Sequence, residues 1–221
     1  MDNYVITIAR GFGSGGRVLA GKLADELGIH SYEHRILTLA SQMSGREMED
    51  FIETDEKLRG DGFSRMIQGL KKRLSPVPEM EAFVSDDRLF ECEAKIIRKL
   101  AEEESCIIVG KCADYVLKDR NNVLSVYVDA PRDFCRAQVI ERLGVSMNEA
   151  DAMIESTDRY RAEYYRHYTR GKDWTDMSNY DVTLNSGRLG LDGCMKAIKH
   201  MMLVKFNDRL DPETREKLLT Y

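Results

Sequence analysis

The chain has 221 residues, 43% of them hydrophobic and 32% charged, which fits one domain with a real core and excludes global disorder. Its 33 Lys and Arg against 38 Asp and Glu leave a net charge of −5, a poor footprint for general nucleic-acid binding. No apolar run reaches the ~18 residues of a membrane span, and the start MDNYVITIAR carries no basic-then-apolar leader.

In chain order, Tyr4–Ala9 (YVITIA) reads as a short buried strand. A glycine-dense turn follows at Gly11–Gly16 (GFGSGG). Arg17–Leu27 then places Val18, Leu19, Leu23 and Leu27 at helical spacing, with Gly28 as the stop. Ile29–Tyr32 is too short and polar to read as a strand. The pattern is helical over His34–Leu58, broken near Ser44-Gly45, and Arg59–Pro78 reads as a helix followed by a loop. Ser85-Asp86-Asp87 caps a helix running to about Glu104. Cys106–Val109 (CIIV) and Val123–Val128 (VLSVYV) are two further apolar strands, the second followed by a helix to Leu143. Asp129, just after that strand, reads as a helix cap. Asn148–Tyr168 is helical, Tyr180–Leu184 a last strand, Leu191–Phe206 a last helix, and the rest a charged tail. Short apolar strands alternating with helices predict a parallel sheet covered on both faces. The five cysteines (Cys92, Cys106, Cys112, Cys135 and Cys194) form no CxxC pair, so neither a disulfide framework nor a zinc site is expected, and the expected setting is a reduced cytoplasm.

The glycine loop fits two patterns. Gly11, Gly13 and Gly16 match the G-x-G-x-x-G of dinucleotide sites. Gly11 and Gly16 followed by Arg17 come close to the phosphate-binding G-x-x-x-x-G-K. Both bring backbone N–H groups and a helix N-terminus to phosphate oxygens. A dinucleotide site wants an acid about 20 residues on, at the end of a second strand, and Glu33 stands near that distance. A P-loop wants a cation beside the last glycine, which Arg17 provides, and then a hydroxyl for Mg²⁺, where Val18 and Leu19 stand instead. Ser14 is the hydroxyl inside the loop.

Four segments together settle on a resemblance: ITIARGFGSGGRVLAGKLADELGI, IIVGKCADYVL, VYVDAPRDFCRAQVIERL, and the run from Asp158 to Asn185. They resemble the cytidylate kinase-like proteins, relatives of the bacterial cytidylate kinases among the P-loop nucleoside monophosphate kinases. The resemblance spans nearly the whole chain and is least at Arg46–Pro78. It implies a three-layer α/β P-loop NTPase fold: one domain over 1–221, a helical insert at about 46–78 and a helical lid at about 156–174. It also implies ATP and Mg²⁺ as donor complex and CMP or dCMP as acceptor. Carried over by position, Gly11, Gly13, Ser14, Gly15, Gly16 and Arg17 would cradle the ATP phosphates. Glu33, Arg35, Lys111, Asp114 and Asp158 would hold the acceptor, and Arg159 and Arg161 would close over the phosphates beside Arg17. The chain departs from the pattern at Lys111, where arginine is usual, and at Ser156-Thr157, where a further arginine is usual.

The chemistry accounts for these residue types. Phosphoryl transfer needs alignment, positive charge around the moving group, and exclusion of water. Arg159, Arg161, Arg166, His167, Arg170 and Lys172 gather the cations of an otherwise acidic chain into one stretch. The same stretch carries Tyr160, Tyr164 and Tyr168 at i, i+4, which is also how an ordinary packed helix looks, with Arg159 and Glu163 as a solvated pair. The expected function is ATP-dependent phosphoryl transfer to a nucleoside monophosphate, with no nucleic-acid or membrane partner. The alternatives are a non-catalytic nucleotide-binding module and a kinase for another small phosphate acceptor.

Overall fold

A computed structural model describes residues 3–33, 36, 40, 87–206 and 209–219. Arg35, the insert expected at about 46–78 and the Ser85-Asp86 cap lie outside these residues. The first strand, β1 (Val5–Arg10), is buried along its whole length. It leads through the glycine turn into α1 (Gly16–Leu27), which buries Leu19, Ala20, Leu23, Ala24 and Leu27 and stops at left-handed Gly28.

A strand then appears where none was expected: β2 spans His30–Tyr32. It lies at the sheet edge and pairs only with β3 (Cys106–Val109), so two of its three residues remain in solvent. Pairing and the Glu104 carboxylate, which accepts from the Tyr32 hydroxyl and contacts His30, hold it, rather than apolar content. The helix preceding β3 is α2 (Asp87–Glu103), whose buried stripe is Glu93, Ala94, Ile96, Ile97 and Ala101.

After β3 come a short α3 (Ala113–Val116), β4 (Val123–Asp129) and α4 (Arg132–Leu143). Asp129 does not cap α4, because the cap position is Pro131 and no side chain bonds there. The next helix, α5 (Met147–Tyr168), opens on a reciprocal Ser146–Glu149 capping box. The strand β5 (Val182–Asn185) runs into α6 (Ser186–Phe206), which breaks at Gly190. Beyond it, where a charged tail was expected, α7 (Pro212–Leu219) docks against α1 and α6. Leu218, fully buried, is the anchor, while its neighbour Leu219 is exposed, and one buried apolar residue in an eight-residue helix leaves no visible periodicity.

All strand pairs are parallel, in the order β2-β3-β1-β4-β5. Side chains alternate between the two faces. Ile6 and Ile8 of β1, with Leu124, Val126 and Val128 of β4, pack under α1, α6 and α7. Val5, Cys106, Ile108 and Val123 face the other way, onto α2 and α3. This is the expected three-layer architecture. No helix among the described residues is long and apolar enough to cross a membrane. Leu218→Ala is expected to cost about 2–4 kcal/mol in urea denaturation; an unchanged midpoint would mean that α7 adds nothing to the fold.

Candidate active site

Because β1 is the middle strand, its carboxyl end lies between those of β3 and β4, where the order of a parallel sheet branches and ligands collect. The glycine loop leaves from that point. The Gly11 amide donates to Val128 O at 3.0 Å, tying the start of the loop to β4. Gly13 has φ +84° and lies so close to α4 that a Cβ would meet the Cys135 carbonyl at 2.7 Å. The Ser14 hydroxyl points into the protein, fully buried, and donates to Gly11 O at 2.8 Å. It shapes the loop and is not presented to a metal ion. The buried Ser186 hydroxyl, donating to Ser14 O at 2.5 Å, clamps the loop to the start of α6. The cap of α1, Gly15, supplies no side-chain acceptor, and no acid stands in the first turn, so the helix start presents backbone amides with no carboxylate of that turn among them.

Arg17 is 52% exposed at the start of α1, and its Nε lies 2.9 Å from Glu33 Oε2. The other oxygen of Glu33 accepts from Arg10 Nη2 at 2.7 Å. One carboxylate therefore holds two guanidinium groups, and Arg10 is a member of the site that motif reading missed. Its visible signal is a cation at the end of an otherwise apolar buried strand, just before the glycines.

Across the loop, α5 presents Asp158 and Arg161. Asp158 Oδ1 accepts from the Phe12 amide at 2.9 Å and from Arg161 Nη1 at 3.0 Å. Arg161 also donates to the Arg10 carbonyl at 2.9 Å. Burial pushes the Asp158 carboxyl up; Arg161 and the Phe12 amide oppose this, and the charge of nearby Asp129 adds to the rise. Arg159, in contrast, points to solvent and pairs with Glu155 rather than with Glu163. The two arginines carried over as a pair thus part, and only Arg161 reaches the loop.

Below the loop a pocket opens between the ends of β1 and β3 and the inner face of α5. Arg10, Lys111, Asp114, Tyr160, Arg161 and Tyr164 are among its lining residues. Lys111 and Cys112 follow Gly110 in the left-handed region, with φ of 60° and 51°, a conformation that side chains rarely adopt. Lys111 Nζ lies 2.6 Å from Glu93 Oε1, both side chains under 5% exposed, and the Tyr164 hydroxyl donates to Glu93 Oε2 at 2.8 Å. Glu93 is a second missed residue, and its signal is an acid at the i−3 and i−4 positions of buried Ile96 and Ile97. Asp114 accepts from the Tyr165 hydroxyl at 2.7 Å, and burial pushes its carboxyl above the ordinary 3.8. Trp174 also lines the pocket, edge-on to Tyr127 at 5.5 Å, and Tyr127 stacks in turn on Tyr180. The tyrosine stripe of α5 is a packing face as well, with Phe90 of α2 stacked on Tyr168 at 3.9 Å.

Residues 5–188 match the model of the cytidylate kinase-like family. The chain belongs to that family. Among similar proteins is a cytidylate kinase of Pyrococcus horikoshii, 27% identical over 213 residues, covering 96% of this chain and 92% of the relative. A cytidylate kinase of Methanopyrus kandleri is 25% identical over 206 residues, covering 89% of this chain and 92% of that one. Among solved structures, an uncharacterized protein from Eubacterium ventriosum superposes with a TM-score of 0.64 at 26% identity, over 94% of this chain and all of that one. A gluconokinase from Sinorhizobium meliloti shares the fold alone, with a TM-score of 0.52 at 11% identity over 94% and 98% of the two chains. Family and fold together place the chain among P-loop nucleotide kinases.

Two expectations follow from the pocket. Glu93→Gln leaves the Lys111 ammonium buried without its counter-charge and is expected to cost about 3–5 kcal/mol in chemical denaturation, most of it recovered by adding Lys111→Met. Equal stability of Glu93→Gln and wild type would show that the pair is not desolvated. For Asp114, the folded form holds the proton more tightly than the unfolded chain, so its contribution to stability is present below pH 3.8 and is lost as pH rises through the raised value. Asp114→Asn is expected to flatten the stability–pH curve above 3.8, and an unchanged slope would contradict the burial argument.

Proposed function

We propose that this protein transfers the terminal phosphoryl group of ATP to a nucleoside monophosphate, with CMP or dCMP as the acceptor class. One observation carries the reading: Arg10 and Arg161 line a pocket with Asp114, Tyr160, Tyr164 and Tyr165, Arg161 donates to Arg10 O where the glycine loop begins, and Glu33 links Arg10 to Arg17 at the start of α1. The amides of Gly13 and Gly15, the start of α1 and the Arg17 guanidinium would take the ATP phosphates, with Gly11 tied to β4 and Ser14 fixing the loop from within. Arg161, held against the loop by Asp158, would meet charge developing on the moving group. Glu33, Lys111, Asp114 and Asp158 line or brace the acceptor side, where Asp114, held by the Tyr165 hydroxyl, lines the pocket and would meet the base. Residues 156–174 would form the lid, with Arg159 at its outer surface.

The Mg²⁺ that ATP chemistry calls for would balance phosphate charge and orient the phosphates. No group of three or more His, Cys, Asp or Glu among the described residues could cage a metal ion. Mg²⁺ does not need such a cage, because it is commonly held by one or two carboxylates together with substrate phosphates. Asp129 fits this role: it is exposed, and its Oδ1 lies 2.5 Å from where a Cβ on Gly11 would stand. The inward Ser14 hydroxyl and the engaged Lys111 favour, as a second reading, a module that binds nucleotide without turnover.

Purified protein incubated with ATP·Mg²⁺ and each nucleoside monophosphate in turn is expected to release ADP with CMP or dCMP, and Arg17→Ala to lower that rate about 10³-fold or more. Thermal stabilisation by ATP without turnover on any acceptor would favour the binding module, and an unchanged rate in Arg17→Ala would remove Arg17 from the reaction.

A further inference from the structure

We infer that Arg10 binds the phosphate of the acceptor, an assignment that rests on the kinase reading above. Arg10 is the last residue of β1, and its side chain is only 7% exposed, yet it lines the acceptor pocket. Two glycines make room for it. A Cβ on Gly110 would lie 2.5 Å from Arg10 Nη1, and one on Gly16 would lie 2.7 Å from Arg10 Cβ. Larger residues at either position would push the guanidinium out of its place. The side chain is thus built into the seam between the glycine loop and the end of β3, the line along which donor and acceptor phosphates must approach.

Glu33 decides what each arginine can do. Its two oxygens take Arg17 on one side, at 2.9 Å, and Arg10 on the other, at 2.7 Å. Two like charges are held close by a shared carboxylate that also sets their spacing. Arg17 belongs to the loop mouth and Arg10 to the pocket. In-line transfer wants positive charge on both the leaving and the attacking side, and this arrangement supplies one guanidinium to each. The other cation buried in the pocket wall, Lys111, has its ammonium against Glu93. A planar guanidinium reads a phosphate monoester through paired donors, which an ammonium cannot do. Here that fork comes from β1.

Titration calorimetry with CMP and with ATP, on wild type, Arg10→Gln and Arg10→Lys, tests the assignment. Glutamine removes the fork and its charge and stops short of Glu33, whose other oxygen still holds Arg17. The expected result is CMP affinity lowered roughly 10- to 100-fold in Arg10→Gln, with ATP affinity unchanged. Arg10→Lys should recover part of the loss and show it in the KM for the acceptor rather than in kcat. A prop that merely positions Arg17 would lower ATP affinity and kcat instead, as Glu33→Gln should, and that pattern overturns the assignment. Should Arg10→Gln fail to fold, an unchanged acceptor KM in Arg10→Lys overturns it equally. If wild type binds no nucleoside monophosphate, the kinase reading fails, and inorganic phosphate becomes the probe: equal phosphate affinity in wild type and Arg10→Lys refutes the role of Arg10 by itself.

Discussion

The strand β1 bonds to β3 on one side and to β4 on the other, and because every strand runs parallel, three carboxyl ends meet where the glycine loop departs. The position of every other part of the site follows from that pairing. Gly11 is held to β4 through Val128, Gly110 ends β3 beside Arg10, and the loop has nowhere to go except over the sheet edge into α1. The apolar strand residues that hold β1 in the middle are the same ones that fill the two cores, Ile6 and Ile8 toward α1 and Val5 toward α2. Core packing and site placement are therefore one constraint.

On that frame the charges are arranged in shared sets rather than as isolated pairs. Glu33 serves two arginines, Asp158 serves an amide and Arg161, and Glu93 serves Lys111 and Tyr164. A buried charge without a partner is expensive, so a pocket rich in cations must carry acids to hold them. The acids also fix direction, because each cation is aimed by its carboxylate in the folded chain itself.

The Glu93 set joins α2, the turn after β3, and α5, three elements far apart in the chain. The left-handed backbone at Lys111 and Cys112 is kept by that packing, since neither residue would choose it alone. Through it the pocket and the stretch expected to act as a lid share one buried connection.

Strand, glycine loop and α1 were legible because their signals are local: a β-branched apolar run, turn glycines and a helical repeat over a few residues. The same holds for β3, β4, α4 and α5. The edge strand β2 and the helix α7 were not legible, because each is held by its neighbours rather than by its own pattern. Ser14, a hydroxyl by sequence, became a loop brace only once its Oγ could reach Gly11 O. Arg159 and Arg161, two residues apart on one helix, point to different environments because α5 packs one face on the loop and leaves the other to solvent. The sequence by itself determined the alternation of its locally patterned strands and helices, which depends on residue type and short spacing. Only the tertiary structure decided which cations reach the pocket, because Arg10 meets Glu33 across 23 residues and Arg161 meets the loop across 151.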